Sequence, residues 1–129
     1  MTLSEIPTAE LREELLRRNA AREHSADARI VLALVTRAGM SYGLTPAQVL
    51  SKRRPLPYCY ARWAVSSALA HAGWLPSRIA AVFRIDRGTV ANGLLRAGKL
   101  VASDSTFLGT LILLREELAA TSSMIASNQ

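Results

Sequence analysis

Cations placed closely enough to act together on one polyanion are the chemistry most legible in this chain. Ser51-Lys52-Arg53-Arg54-Pro55-Leu56-Pro57 sets three positive side chains in a run stiffened by two prolines. Arginine projected from such a loop suits a narrow minor groove of DNA, where the negative potential is enhanced. Arg62 follows a few residues later, and Arg87 and Arg96 lie further on. A guanidinium that meets guanine with two hydrogen bonds discriminates against the wrong base by about 1–3 kcal/mol. Asp86, directly before Arg87, is a preferred helix N-cap whose carboxylate can accept the backbone N–H of Gly88 or Thr89.

The charge distribution points the same way. The chain of 129 residues carries a formal net charge of +6. Between Arg29 and Lys99 eleven Lys or Arg stand against a single acid, Asp86, for a local +10, while the two flanks together hold −4. A basic excess concentrated in one segment is the electrostatic footprint of a nucleic-acid binder.

Other chemistries find little support. Gly93 to Leu100 resembles a phosphate-binding P-loop, but Leu100 occupies the place of the magnesium-binding hydroxyl and no strand precedes it. His24 and His71 have no nucleophile or acidic partner nearby in sequence, and His71 sits where a cation suits a helix C-terminus. A single cysteine, Cys59, allows no internal disulfide and reads as a packing residue. The expectation is therefore a non-enzyme with no cofactor and no metal site.

These residues need a helical scaffold. Half of the chain is hydrophobic, aromatics are few, and Ala, Leu and Arg dominate. The pattern predicts an all-α domain of about six to seven helices. Thr8 caps a first helix from about Ala9 to Glu23, with Leu11, Leu15 and Leu16 as a thin apolar stripe beside Ile6. Ser25 caps a second, from about Ala26 to Ala38, that Gly39 ends. Thr45-Pro46-Ala47-Gln48 is a capping box opening a short helix. A helix from about Tyr58 to Ala72 follows the basic loop, with Gly73 as its stop. Leu75 to Arg96 then reads as two helices joined by Arg84-Ile85, a helix-turn-helix pair whose second member can enter a major groove. A last helix spans about Ser105 to Ala120. The organisation predicted is an N-terminal arm over 1–24, a DNA-binding domain over 25–120 and a flexible tail over 121–129.

Taken together, Leu50-Ser51-Lys52-Arg53-Arg54, Ala61-Arg62-Trp63-Ala64, Leu75-Pro76-Ser77-Arg78-Ile79 and Asp86-Arg87-Gly88-Thr89-Val90 resemble, in order and approximate spacing, the C-terminal DNA-binding domain of the bacterial replication initiator DnaA. The resemblance covers about Ile30 to Leu118. It implies a DnaA-like, Trp-repressor-like helical fold, with Arg54 in a minor groove, Lys52 on phosphate beside Arg53, and Arg62 reaching DNA with Trp63 next to it. It further implies Leu75 and Pro76 near the DNA backbone, Asp86, Arg87, Gly88 and Thr89 at base edges, and Arg96 near phosphate.

Departures from the family shape what is expected. Arg87 stands where the family has histidine, and Gly88, with no side chain to touch a thymine methyl, replaces a threonine. Trp63 replaces a common glutamine, and the turn Arg84-Ile85 is one residue shorter than the family's glycine-rich turn. The DNA sequence read should therefore differ from the family's nonamer. The family's ATP-binding domain has no counterpart in these residues, so the expectation is a stand-alone regulator of transcription or replication, of bacterial, phage or mobile-element type. Its expected partner is double-stranded DNA, with a transcription or replication protein as a further partner of the N-terminal helix. No membrane association is expected; a cytoplasmic, nucleoid-associated monomer or weak homodimer is. The competing expectation is a DnaA-like fold repurposed as a protein-interaction adaptor.

Overall fold

The computed structural model describes the backbone of residues 8–127 and the side chains of residues 10–18 and 26–121. The described residues form six helices: α1 Thr8–Tyr42, α2 Pro46–Leu50, α3 Leu56–His71, α4 Pro76–Phe83, α5 Arg87–Ser103 and α6 Ser105–Ser127. The domain is all-α, with no strand among the described residues.

The two helices expected before residue 39 are one. Helix α1 runs unbroken through Ser25, which was expected to cap a new helix, and through Gly39, which was expected to end one. No glycine or proline lies between Thr8 and Ala38, and an interior serine costs a helix only some tenths of a kcal/mol, too little to break it. Thr8, expected as a cap, is itself helical, while Pro7, Ile6 and the rest of the lead-in fall outside the described residues. The helix ends at Gly43, whose φ of 67° lies in the left-handed region. Gly39 serves a different purpose. The Leu44 N–H donates to the Gly39 carbonyl at 2.8 Å, and a Cβ on Gly39 would run into the Leu44 carbonyl oxygen.

At the C-terminus, α6 continues to Ser127, beyond the end expected near Ala120. No glycine or proline occurs after Gly109, so nothing in the tail halts the helix, and the flexible segment expected over 121–129 is helical up to Ser127. Helix α3 starts at Leu56, two residues earlier than expected, with Pro57 in its first turn, where a missing N–H does no harm. The Thr45–Gln48 capping box is present in both directions, with Thr45 N–H donating to Gln48 Oε1 at 2.8 Å and Gln48 N–H to Thr45 Oγ1 at 3.2 Å.

Helix α3 forms the centre of the domain, and α1, α5 and α6 all pack against it. Its buried face is built on Ala61, Ala64 and Ala68, all fully buried, and these small side chains let three helices approach closely. Leu34 and Val35 of α1, Leu69 of α3, Ile79 of α4 and Phe107 and Leu114 of α6 fill the space around them. Tyr60 ties the C-terminal end of α1 to the start of α6, lying 6.3 Å from the Tyr42 ring and 6.3 Å from the Phe107 ring, both edge-on. Burial pushes the Tyr42 hydroxyl pKa up, and the nearby charge of Asp104 adds to the effect. Helix α6 is capped by Asp104, whose carboxylate accepts the Phe107 N–H at 2.9 Å, and it leaves α5 at a bend of 115°. No single helix among the described residues is long and apolar enough to cross a membrane.

Helix α4, only eight residues long, is held by an exposed contact as well as by its buried Ile79, Ala80 and Phe83. Arg78 donates to both carboxylate oxygens of Asp27 on α1, at 2.6 and 3.0 Å, and its guanidinium lies 3.7 Å from the centre of the Trp74 ring. Two-pronged pairing and stacking suit arginine better than lysine.

Gly39→Ala tests the tightest of these contacts. Alanine improves helix propensity by about 1 kcal/mol, but its methyl group has to displace the Leu44 carbonyl, an overpacking cost of about 1–3 kcal/mol. The expected net result is a lower midpoint in urea unfolding; an unchanged or raised midpoint contradicts the packing described.

Candidate nucleic-acid interface

The basic loop leaves α2 at Ser51 and enters α3 at Leu56. Its backbone makes few regular hydrogen bonds, so its carbonyls need partners from elsewhere. Arg62, nearly two turns into α3, supplies them. Its guanidinium donates to the carbonyls of Val49 at 3.4 Å, of Ser51 at 2.6 Å and of Arg53, and it approaches the Cys59 sulfur at 3.5 Å. The Cys59 thiol in turn donates to the Arg54 carbonyl at 3.2 Å. Arg62 is thus turned into the loop, and Lys52, Arg53 and Arg54 are left exposed on its outer side. Arg53 lies 5.9 Å from the centre of the Tyr58 ring.

Across from the loop lies the joint between α4 and α5. Helix α4 ends on Arg84 with φ 56° and ψ 46°, the only non-glycine residue with positive φ among the described residues. An L-residue in this conformation is strained by about 1–2 kcal/mol, and such strain is concentrated at functional sites. Ile85 N–H returns to the Ala80 carbonyl at 3.1 Å, closing the turn. Asp86 then caps α5, as its sequence position predicts. One oxygen accepts the Thr89 backbone N–H at 2.7 Å and the other accepts the Thr89 hydroxyl at 3.0 Å. These two donors hold the Asp86 carboxyl pKa below its ordinary value.

Between loop and joint lies a concavity of about 690 Å³, with Lys52, Arg54, Arg62 and Arg84 among its lining residues and Trp63, Phe83 and Ile85 contributing apolar wall. Asp86 is the one acid in that lining. No carboxylate pairs with Lys52, Arg54, Arg84 or Arg87 among the described residues. Trp63 packs onto Gly93 of α5, where a Cβ would stand 2.7 Å from its ring, so the glycine lets α3 and α5 close together beneath the concavity. Arg96 lies 5.8 Å from the centre of the same ring, beside an adjoining groove that includes Leu56, Leu95 and Lys99.

The residues singled out in the sequence divide accordingly. Lys52, Arg54, Arg62, Trp63, Asp86 and Thr89 come together around one concavity. Arg87 and Gly88 sit exposed on the first turn of α5, next to it. Arg96 faces the neighbouring groove. Leu75 and Pro76 do not join the group. They open α4, at the end held to α1 by Arg78, whereas the concavity meets the other end of that helix at Phe83 and Arg84. Arg84 is the site residue that sequence reasoning missed, because a left-handed turn position is usually signalled by glycine.

In comparisons with known proteins, the chain matches no family model, no curated protein and no solved structure. The assignment of chemistry therefore rests on the arrangement of these side chains.

Two outcomes follow from the local geometry. Arg62→Ala leaves two loop carbonyls and that of Val49 in α2 without their donor, and hydrogen bonds to charged groups are worth about 1.5–3 kcal/mol each. The amides of Ser51 and Arg53, which donate to the Gln48 carbonyl and the Ser51 hydroxyl, should exchange with solvent at least tenfold faster, while Arg62→Lys, lacking the planar fork, recovers only part of the protection; unchanged exchange in both variants contradicts the clip. The Asp86 cap has its own pH signature. Because its folded pKa is depressed, its stabilisation is complete above the unfolded carboxylate pKa and is lost as pH falls through the folded value. Asp86→Asn, which still caps but does not titrate, should therefore lose its stability deficit relative to wild type as thermal melts move from neutral pH to below the ordinary carboxylate range. A constant deficit across that window is the opposing result.

Proposed function

We propose that this protein is a sequence-specific double-stranded DNA-binding regulator of transcription or replication, in which α4 and α5 act as a helix-turn-helix. The observation that carries the reading is the rim of unpaired cations, Lys52, Arg54 and Arg84, around a concavity bounded on one side by a rigid loop and on the other by the exposed start of α5. The start of α5 enters the major groove, the loop places Arg54 in the adjacent minor groove, and the sugar–phosphate strand between the grooves follows the concavity. The resemblance to the DnaA DNA-binding domain in motif order supports the same docking.

The geometry refines the roles. Arg62 acts as a positioning residue for the loop, since its donors already face the loop carbonyls. Asp86 and Thr89 hold each other, which leaves Arg87 as the side chain with free donors for a base edge. Gly88 leaves the first turn of α5 bare, and the backbone there can approach the groove closely. Arg84 contributes a cation to phosphate, and the strain of its backbone is the cost of presenting it there.

Selection from random duplexes followed by gel shift tests this reading. Wild-type protein should enrich one motif, and Arg87→Ala should relax specificity at one or two base pairs with a loss of about 1–3 kcal/mol. Arg84→Gly should bind more weakly while unfolding at a higher temperature, because glycine relieves the left-handed strain. No enriched motif, together with unchanged affinity in both variants, would reject the DNA reading in favour of a protein-interaction adaptor.

A further inference from the structure

The concavity between the basic loop and the α4–α5 joint has more in it than a cationic rim. Trp63, Phe83, Ile85 and Val90 give it apolar walls, and Ser66 of α3 lines it as well. Ser66 is only 5% exposed, and its hydroxyl has no hydrogen-bond partner among the described residues. Other helix hydroxyls do have one: Thr36, Ser103 and Thr110 each donate to the carbonyl four residues back. Nor is the Ser66 oxygen among the fully enclosed, unpaired polar atoms, so it keeps an opening, and the concavity is the space it borders. A nearly buried hydroxyl in this state costs about 1–3 kcal/mol until a group from outside the chain satisfies it.

A sugar–phosphate strand passing along the rim meets Lys52 and Arg84 but offers nothing to these walls or to this hydroxyl. The charge at the rim also exceeds what a single carboxylate would match. Arg62 is taken up by carbonyls and Asp86 by Thr89, which leaves Lys52, Arg54 and Arg84 facing the opening with no acid to offset them. Three cations suit a phosphate dianion, apolar walls suit a flat ring, and the serine suits a polar atom on the edge of that ring. The volume of about 690 Å³ falls within the roughly 300–1,000 Å³ of small-molecule sites. We infer that the concavity binds a free mononucleotide, with its phosphate on Lys52, Arg54 and Arg84, its base between the apolar walls and an edge atom of the base on Ser66. Under the DNA reading the nucleotide and the duplex share Lys52, Arg54 and Arg84, but binding of the nucleotide does not depend on that reading.

Calorimetric titration of the full chain with adenosine, guanosine, cytidine and uridine 5′-monophosphates tests it, with inorganic phosphate and the matching nucleosides as separate arms. At least one nucleotide should bind one to one with a micromolar dissociation constant, and its nucleoside and inorganic phosphate should each bind at least tenfold more weakly. The indole N–H resonance of Trp63 should shift in the complex, while that of Trp74, stacked on Arg78, stays in place. Ser66→Ala should weaken the nucleotide by roughly fivefold and Lys52→Ala/Arg84→Ala by at least roughly tenfold. Ser66→Ala should also unfold at the wild-type temperature or above, because it removes a hydroxyl that has no partner, and this shows that the variant is folded. No nucleotide bound at millimolar concentration, inorganic phosphate bound as tightly as the nucleotide, a shift at Trp74 in place of Trp63, or undiminished affinity in either variant each overturns the inference. Duplex DNA enters none of these measurements, so failure here and failure of the DNA reading are told apart.

Discussion

The cationic face depends on one guanidinium. A loop between two helices that carries three adjacent cations repels itself and has carbonyls with no secondary structure to receive them. Arg62 answers both difficulties from a fixed point on the central helix by donating to the Val49, Ser51 and Arg53 carbonyls. The planar fork of arginine reaches several acceptors at once, which a lysine ammonium on its flexible stem does less well. With the carbonyls drawn inward, the side chains of Lys52, Arg53 and Arg54 are exposed, and their charge is presented in an ordered form. Ordering them before binding lowers the entropic cost that a flexible basic run meets on contact with a ligand.

The opposite wall of the concavity is fixed by a different device. The α4–α5 joint is short enough to need a left-handed residue, and the chain uses Arg84 where glycine would be strain-free. The Asp86–Thr89 pair then locks the first turn of α5 directly after it. Trp63 against Gly93 sets the distance between the two walls. Loop, joint and floor therefore depend on three separate contacts that all trace back to α3 and α5, while Arg78 on Asp27 anchors the remote end of α4.

Much of this was readable in the sequence, for physical reasons that differ by element. The Thr45–Gln48 box, the Asp86 cap and the glycine-ended α3 are set by local chemistry, and local chemistry is what sequence displays. The division of α1 at Ser25 was a misreading of the same kind of signal: a capping residue marks a helix start only where something upstream ends the previous helix, and nothing does. Gly39 looked like a helix stop because the contact that requires it, with the Leu44 carbonyl, becomes visible only once the chain has turned. Arg62 was legible as a cation near the loop, but its direction, toward carbonyls rather than outward, is a tertiary fact. Arg84 carried no signal at all, since its importance lies in a backbone angle that its residue type disfavours.

The central claim is that Lys52 and Arg84 act together on one phosphate strand beside the minor groove that Arg54 enters, and the salt dependence of DNA affinity measures that most directly. Each phosphate neutralised contributes about −0.9 to the slope of log affinity against log salt concentration. The wild type should show a slope of about −3 or steeper, and Lys52→Ala and Arg84→Ala should each make it shallower by about 1. A slope near zero, or one that neither substitution changes, would contradict the account.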